Sequence, residues 1–393
     1  TKHRGNQLTR SGQLQALIRK PDTMRILVLI HEYPPVGGGG GQSCQDIATE
    51  LVRRGHEITI ITAAYASLPL DETSAGFHLV RVTPPRKLAY KAGLWEMAAF
   101  VITSTIKALK VARNFKPDLI HAHFAVPAGA AAYLVSLLTG IPYVITAHLG
   151  DVPGGVPEKT RKWFRVIYPF TIPIWKKAAK VIAVSQATAT LATKSYGLTP
   201  GIIPNGIPLE PDPGKKPGVN TPPVVFFAGR FVEQKNLRVF VEVLTALKHL
   251  PWRCVMLGDG ALKDEIERRI KLSNLDDRFL LPGWVSPDTI QQYMRNSDIL
   301  FMPSLSEGLS VVGVQALSAG LAIVAYDVGG FSDLVEQGVN GYLVEPGNPQ
   351  GLQVALQNLL SDTGKHIAAR NASLAMVEKF NITNVVDQYE KEF

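Results

Sequence analysis

The chain has 393 residues, of which 46% are hydrophobic and 19% charged, and its formal net charge is +8. That length exceeds one core of the usual ~100–200 residues, so two domains are expected, and the composition excludes an intrinsically disordered chain. The 34 Gly and 27 Pro show no triplet period, which excludes a collagen, while two distant cysteines, Cys44 and Cys254, argue against a disulfide scaffold or a Cys-based zinc module and favour a reducing cytoplasm.

Residues 1–23 precede a methionine and a strong apolar strand, and read as a leader or an expression remnant; they hold no apolar stretch suited to a secretory signal. From Met24 onward, apolar β-branched runs at 25–31, 57–63, 78–82, 118–121, 142–146 and 181–184 predict strands, with helix-period patterns at 42–54, 94–114 and 128–139 between them. Wholly apolar strands alternating with helices imply a parallel sheet covered on both faces. Residues 208–223 hold six Pro and two Gly in sixteen positions, which predicts a stiff linker. The alternation then restarts, with strands at 224–228, 254–257, 298–302 and 322–325 and helices at 237–249, 262–272, 311–319 and 351–360. No run approaches ~18 consecutive apolar residues, so no transmembrane helix is expected. The predicted fold class is α/β, two doubly wound domains (24–207 and 224–380) facing a cleft where a ligand sits at the strand ends. A last segment, 381–393, is expected to return toward the first domain.

Charge divides with the domains. Residues 24–200 carry 19 Lys and Arg against 10 Asp and Glu, and residues 201–393 carry 17 against 22. A basic first half suits a polyanion, an anionic membrane surface or a phosphorylated substrate.

Several strand-end segments could carry chemistry. His31, Glu32 and Tyr33 lead into five glycines, Gly37–Gly41, and then a helix; this is either a flexible loop or a place where phosphate meets backbone N–H groups. It is not a Walker loop. Arg230 and Lys235 follow the first strand of the second half and could both reach a phosphate in the cleft, although a solvated loop would look the same. Glu307, before Gly308 and a helix, either caps that helix or accepts hydrogen bonds from sugar hydroxyls beside an anion. His121 and His123 alternate onto one strand face, but no acidic cluster accompanies them, and His148 near Asp151 is the better catalytic candidate. No Asp-x-Asp is present to bridge a metal to a diphosphate. Residues 159–180 mix basic residues with Trp163, Phe164, Tyr168, Phe170 and Trp175; they are either a core helix broken near Pro169 and Pro173 or a docking surface for an anionic membrane, with 94–114 a weaker second candidate.

Taken in order, these segments resemble retaining glycosyltransferase family 4, the group-1 glycosyltransferases of GT-B fold. The likeness runs from Met24 to the carboxy-terminus: the glycine loop, Thr146 to Asp151 with Leu149 where the family often has glycine, Val181 to Ser185, Ile203-Pro204-Asn205-Gly206-Ile207, Arg230 with Lys235, Glu307-Gly308-Leu309-Ser310, Asp327-Val328-Gly329-Gly330, and Asn340 to Val344. One departure stands out. The family's second glutamate falls on Gln315, so a charge-assisted bond to the donor ribose is lost, at roughly 1 kcal/mol.

The resemblance implies a hexosyltransferase that retains anomeric configuration, with a UDP-glucose-type donor as first expectation. Arg230 and Lys235 would stabilise the leaving diphosphate, Glu307 the sugar hydroxyls and Gln315 the ribose, with His148 touching the sugar; of these five residues, His148, Arg230, Lys235 and Glu307 are the expected catalytic set. Gly38, Gly39, Gly229, Gly258, Trp284, Val285, Gly308, Leu309 and Ser310 would complete the donor site, and Tyr33, Gly40, Gly41 and Asp151 the acceptor site. No cofactor and no metal are expected. The expected partners are the nucleotide sugar, a glycan or polyprenyl-linked acceptor of envelope polysaccharide or glycolipid assembly, and the inner face of a plasma membrane, with no nucleic acid. The competing readings are a nucleotide-sugar epimerase of the same architecture and a non-catalytic nucleotide-sugar-binding scaffold.

Overall fold

The computed structural model describes residues 23–88, 92–209 and 218–393, without the side chains of 157–163. The expected leader, apart from Thr23, and the middle of the expected linker lie outside these residues. The first sheet comprises β1 (Arg25–Leu29), β2 (Glu57–Tyr65), β3 (Asp71–Ser74), β4 (Phe77–Arg86), β5 (Leu119–His123), β6 (Tyr143–Ala147), β7 (Lys180–Ala183) and β8 (Gly201–Ile202), in the spatial order β3-β4-β2-β1-β5-β6-β7-β8. All its pairings are parallel except the β3–β4 hairpin. The second sheet comprises β9 (Val224–Ala228), β10 (Arg253–Leu257), β11 (Phe279–Gly283), β12 (Ile299–Met302), β13 (Ala322–Tyr326) and β14 (Gly341–Val344), in the order β11-β10-β9-β12-β13-β14, all parallel.

The sequence explains why both faces of each sheet are covered. Ile26, Leu27, Val28 and Leu29 of β1 are buried, as are Val225, Phe226 and Phe227 of β9, because a parallel crossover places a helix on each side. In each sheet the strand order reverses at the first strand, with β2 and β5 on either side of β1, and β10 and β12 on either side of β9. The carboxyl ends of β1 and β9 are therefore the switch points where crossovers diverge and leave a crevice.

The chain crosses between the sheets twice, side by side. Ile207 N–H donates to the Phe380 carbonyl and Ile382 N–H to the Ile207 carbonyl, both at 2.9 Å. The last helix, Ile382–Glu392, then lies on the helix Gly39–Arg53 of the first sheet's layer. Its Val385, Val386 and Tyr389 are buried among Ile26, Val28 and Ile47, and each such side chain contributes about 1.5–3 kcal/mol. Arg54 clamps the outer edge, reaching Asp387 at 2.5 Å and Glu390 at 2.7 Å.

The expected break near Pro169 and Pro173 does not occur: one helix, Pro157–Lys176, runs through both. The residues four before them, Arg165 and Pro169, are exposed, so water can bond the carbonyls that lose a donor.

Candidate active site

A cleft of about 1100 Å³ lies between the sheets, lined from both. On the second-domain wall, Gly229 follows the end of β9, and an added Cβ there would stand 3.3 Å from the Lys235 Cε; the missing side chain lets the lysine stem cross the strand end. Lys235 Nζ pairs with Glu307 Oε1, and the two side chains are only 14% and 9% exposed. A cation and an anion are thus held together at the cleft floor, with Arg230 beside them on the lining. Gln234 fixes the backbone that carries Glu307, donating to the Ser306 carbonyl at 2.9 Å while its own carbonyl accepts from Leu305 N–H at 2.8 Å.

Two glycine contacts explain the sequence motifs around this pair. Gly329, at φ +57°, abuts the Glu307 carbonyl so closely that a Cβ would fall 1.5 Å from it, and Gly330 N–H donates to the Gly308 carbonyl at 2.8 Å. Gly258, at φ +140°, meets the Gly229 carbonyl in the same way. Only glycine permits such approaches. Gly308, Leu309, Ser310 and Gln315 line the cleft, with Trp284 and Val285 at its rim. The Ser310 hydroxyl is occupied in capping the helix Val311–Ser318, accepting from Gly313 N–H at 3.2 Å.

On the first-domain wall, Gly38, Gly39 and Gly40 line the cleft where the helix Gly39–Arg53 begins. His148 projects from the end of β6. Its backbone N–H donates to Asp151 Oδ2 at 2.8 Å, and its ring stacks on Phe124 with centroids 4.3 Å apart. Burial pulls its pKa down to about 4, so the imidazole is neutral near pH 7, and Nε2 has no hydrogen-bond partner among the described residues. Asp151 also accepts from the Ala125 and Val126 amides, yet burial raises its pKa to about 7. It shapes the His148 turn and, as an expected acceptor-side residue, also lines the cleft. Glu32 lines the same wall, with its Oε1 3.6 Å from His31 Nε2 and 3.7 Å from Arg86 Nη2.

The walls meet. A Cβ on Gly39 would stand 3.0 Å from Val311 of the second domain, and one on Gly308 would stand 3.5 Å from Leu149 of the first. Asn205 bridges them, donating to the Leu309 carbonyl at 2.9 Å and accepting from the Ser43 hydroxyl at 3.0 Å.

His148, Arg230, Lys235 and Glu307 thus share one cleft with the expected donor residues Gly38, Gly39, Gly229, Gly258, Trp284, Val285, Gly308, Leu309, Ser310 and Gln315. Two expected acceptor residues do not reach it. Tyr33 is buried behind the loop against Phe77, ring centroids 6.2 Å apart, because Pro34 and Pro35 carry the chain onward to the cleft and leave its ring in the core. Gly41 is buried one step inside the helix, where a Cβ would strike the Glu32 carbonyl at 2.6 Å, so its role is close packing. His121 and His123 lie with rings 4.3 Å apart in the sheet core, and His121 Nε2 is 2.8 Å from the Thr146 hydroxyl. Among the described residues, no three His, Cys, Asp or Glu side chains gather as a metal site would require.

Sequence reasoning quoted Glu32 and Asn205 within motifs but gave them no role of their own, and it did not single out Phe124. Glu32 had a signal, being an acid at a switch-point strand end before a glycine loop. Phe124 had none, since only the fold brings it beneath His148.

The family model for Glycosyltransferase Family 4 matches residues 37–211 and that for Glycosyl transferases group 1 matches residues 210–374. The chain is similar to the 2-deoxystreptamine glucosyltransferase of Streptomyces kanamyceticus, at 26% identity over 82% of this chain and 89% of that one. It is also similar to the UDP-Gal:alpha-D-GlcNAc-diphosphoundecaprenol alpha-1,3-galactosyltransferase of Escherichia coli, at 28% identity over 72% and 77% of the two chains. Among solved structures, sucrose-phosphate synthase of Thermosynechococcus elongatus superposes with a TM-score of 0.82 at 19% identity, covering 94% of this chain and 98% of that one. The two parallel-sheet domains are those of the GT-B fold. Matches that together run from residue 37 to residue 374, and a cleft that collects their motif residues, make this chain an enzyme of the family-4, group-1 glycosyltransferases.

Proposed function

We propose that the protein transfers a hexosyl group from a UDP-sugar, with retention of configuration and without a metal, to a saccharide carried on a lipid. The observation that carries this reading is the Lys235–Glu307 pair, set beside Arg230 and opposite His148. Lys235 and Arg230 hold the diphosphate and stabilise the charge it gains as the bond from C1 to the phosphate oxygen breaks. Glu307 accepts from sugar hydroxyls, and neutral His148 offers Nε2 to the sugar from the other wall. The acceptor hydroxyl attacks C1 from the face the phosphate is leaving, and its proton passes to the departing phosphate oxygen. Two cations line the cleft where the diphosphate would lie, which supports a reaction with no need for a divalent ion. The UDP and lipid-linked parts draw on the named galactosyltransferase relative.

Membrane contact belongs to the same reading. No helix among the described residues is long and apolar enough to cross a membrane. Three adjoining first-domain helices nonetheless expose large apolar side chains: Trp95 (87%), Ile102 and Ile106 on Leu94–Phe115, Leu137 and Leu138 on Ala130–Thr139, and Val166 and Phe170 (74%) on Pro157–Lys176. Such a face on the basic half of the chain suits an anionic bilayer.

The test is nucleotide release from UDP-, GDP- and ADP-sugars in EDTA, with product NMR and flotation on vesicles containing anionic lipid. UDP released in EDTA with the anomer retained is the expected result. An inverted anomer, or activity restored only by a divalent ion, overturns the mechanism; absence of lipid-bound protein at low salt removes the membrane part.

A further inference from the structure

One short segment joins the loop carrying Glu307 to the first domain. The five-residue turn Gly329–Asp333 is fixed at its inner end to that loop: Gly329 abuts the Glu307 carbonyl, and Gly330 N–H donates to the Gly308 carbonyl at 2.8 Å. Its middle is anchored in the second domain, where Phe331 and, just past the turn, Leu334 are fully buried. Its outer end leaves that domain. Asp333 Oδ2 accepts from the Gln186 amide at 3.3 Å, at the first residue of the helix Gln186–Tyr196 in the first domain. The meeting place suits a carboxylate, because the first turn of a helix presents unpaired N–H groups and the positive end of its dipole. The Ser185 hydroxyl serves another of those groups, accepting from Thr188 N–H at 3.2 Å. Lys379, next to the crossing at Phe380, secures the turn by donating to the Asp333 carbonyl at 2.7 Å. On the first-domain side the path is equally short. Val184, before Ser185, donates its N–H to the carbonyl of Ala147 at 3.3 Å, and Ala147 precedes His148. The side chain of Val184 is itself buried with the second domain's core.

We infer that Asp333 is a positioning residue: its contact with the helix Gln186–Tyr196 latches the closed cleft and fixes His148 relative to Glu307. The turn Gly329–Asp333 is an arm anchored in the second domain and braced against Glu307, so what its tip holds is held at a set place from that residue. The tip holds the backbone that follows β7, and that backbone is bonded to the end of β6, from which His148 projects. Asp333 touches neither substrate nor reacting atoms, and it acts through the two walls it joins. The inference rests on the transferase reading for its effect on rate, and on the domain contact alone for its effect on closure.

The test reads nucleotide release and domain spacing on the full chain. Gln186→Pro deletes the donor N–H at a first helical position, where proline is tolerated, and Ser185, at φ −158° and ψ 160°, already has the extended backbone that a following proline requires. Asp333→Ala deletes the acceptor from the other domain. Each should slow release at saturating donor about tenfold while leaving UDP affinity within about threefold of the parent, and Asp333→Glu, which keeps the carboxylate, should stay within about threefold in rate. The double variant should be no slower than the slower single one, because both changes remove the same contact. Spin labels on Leu137→Cys and Val354→Cys, exposed sites on the two domains, report the spacing; Cys44 and Cys254 are buried and stay unlabelled. With and without UDP, both latch variants should give a longer or broader distance than the parent. Single variants within about twofold of the parent rate, multiplied losses of about 100-fold in the double variant, or an unchanged distance distribution overturns the latch. A parent that releases nucleotide from no donor sugar would instead remove the transferase reading, and the label distances would then decide the latch by themselves.

Discussion

Adding one methyl group at Gly40 tests whether the position of His148 governs turnover. A Cβ there would lie 2.6 Å from Phe124 Cζ and 3.3 Å from His148 Cε1. Carbon atoms rest about 3.5–4.0 Å apart, so the Phe124 ring must retreat by roughly 1 Å. It has little room, since its other side packs edge-on against His31 at 5.0 Å and its backbone already sits at φ +73°. The retreat is therefore passed to the His148 ring stacked on it. Gly40 lies in the first turn of a helix, where alanine gains up to about 1 kcal/mol over glycine, against an overpacking cost of about 1–3 kcal/mol. Gly40→Ala should leave stability within about 2 kcal/mol of the parent while cutting nucleotide release about 100-fold, the usual cost of a 1 Å displacement at a reacting centre. Melting temperature, UDP affinity and the release rate would be read on the same preparation. A release rate within about threefold of the parent, with the fold intact, would mean that His148 is not positioned by Phe124 or does not matter to turnover.

Other expectations follow from the opposite wall and from the core. Lys235→Ala should lower turnover by about 10²–10³-fold, as for loss of one preorganised charge at a leaving group, and a loss of only a few-fold in single-turnover release would refute the diphosphate role. Gln315→Glu restores the charge the family motif carries and should tighten UDP by about fivefold in calorimetry; unchanged affinity leaves Gln315 without a ribose contact. Burial holds His121 neutral, with a pKa near 3 against about 6.5 in the unfolded chain, so its contribution to stability is complete above pH 6.5 and is lost as pH falls toward 3. His121→Asn lacks that loss. The stability gap between parent and variant should therefore shrink by about 2 kcal/mol between pH 7.5 and pH 5 in urea unfolding, and a constant gap would contradict a buried neutral imidazole.

Central elements were the most legible in the sequence. Arg25–Leu29 after its first residue, Val224–Ala228 and Ala322–Tyr326 are hydrophobic runs, and burial on both faces makes such runs stand out. The edge strands Asp71–Ser74, Gly201–Ile202, Phe279–Gly283 and Gly341–Val344 were not read, because an edge strand needs fewer apolar residues and three of these carry Pro or Gly at an end. Helices Pro287–Arg295 and Thr363–Met376 were likewise missed; each carries many polar residues and is fixed by its neighbours. The site divides in the same way. Arg230, Lys235 and Glu307 stood at strand ends in recognisable motifs, whereas the contact of Phe124 with His148 joins residues 24 positions apart and exists only once β5 and β6 pair.

The same distinction explains why Tyr33 was misplaced and Asn205 passed over. Both lie within readable motifs, and a motif shows which backbone is shared but not which way each side chain turns. Tyr33 precedes two prolines that carry the chain to the cleft, so its ring stays in the core. Asn205 precedes the crossing at Ile207, and its amide is therefore placed between Ser43 on one domain and Leu309 on the other. That contact adjoins both walls of the cleft: Ser43 follows the glycine loop, and Leu309 follows Glu307. The hydrogen bonds at Ile207 hold the two crossings together, while Arg54 ties the last helix to the first domain. Closure of the cleft is thus held by polar contacts at its hinge and by van der Waals contact at its mouth, where Gly39 meets Val311. Polar hinge contacts can persist while the mouth parts, because dispersion contacts are individually weak.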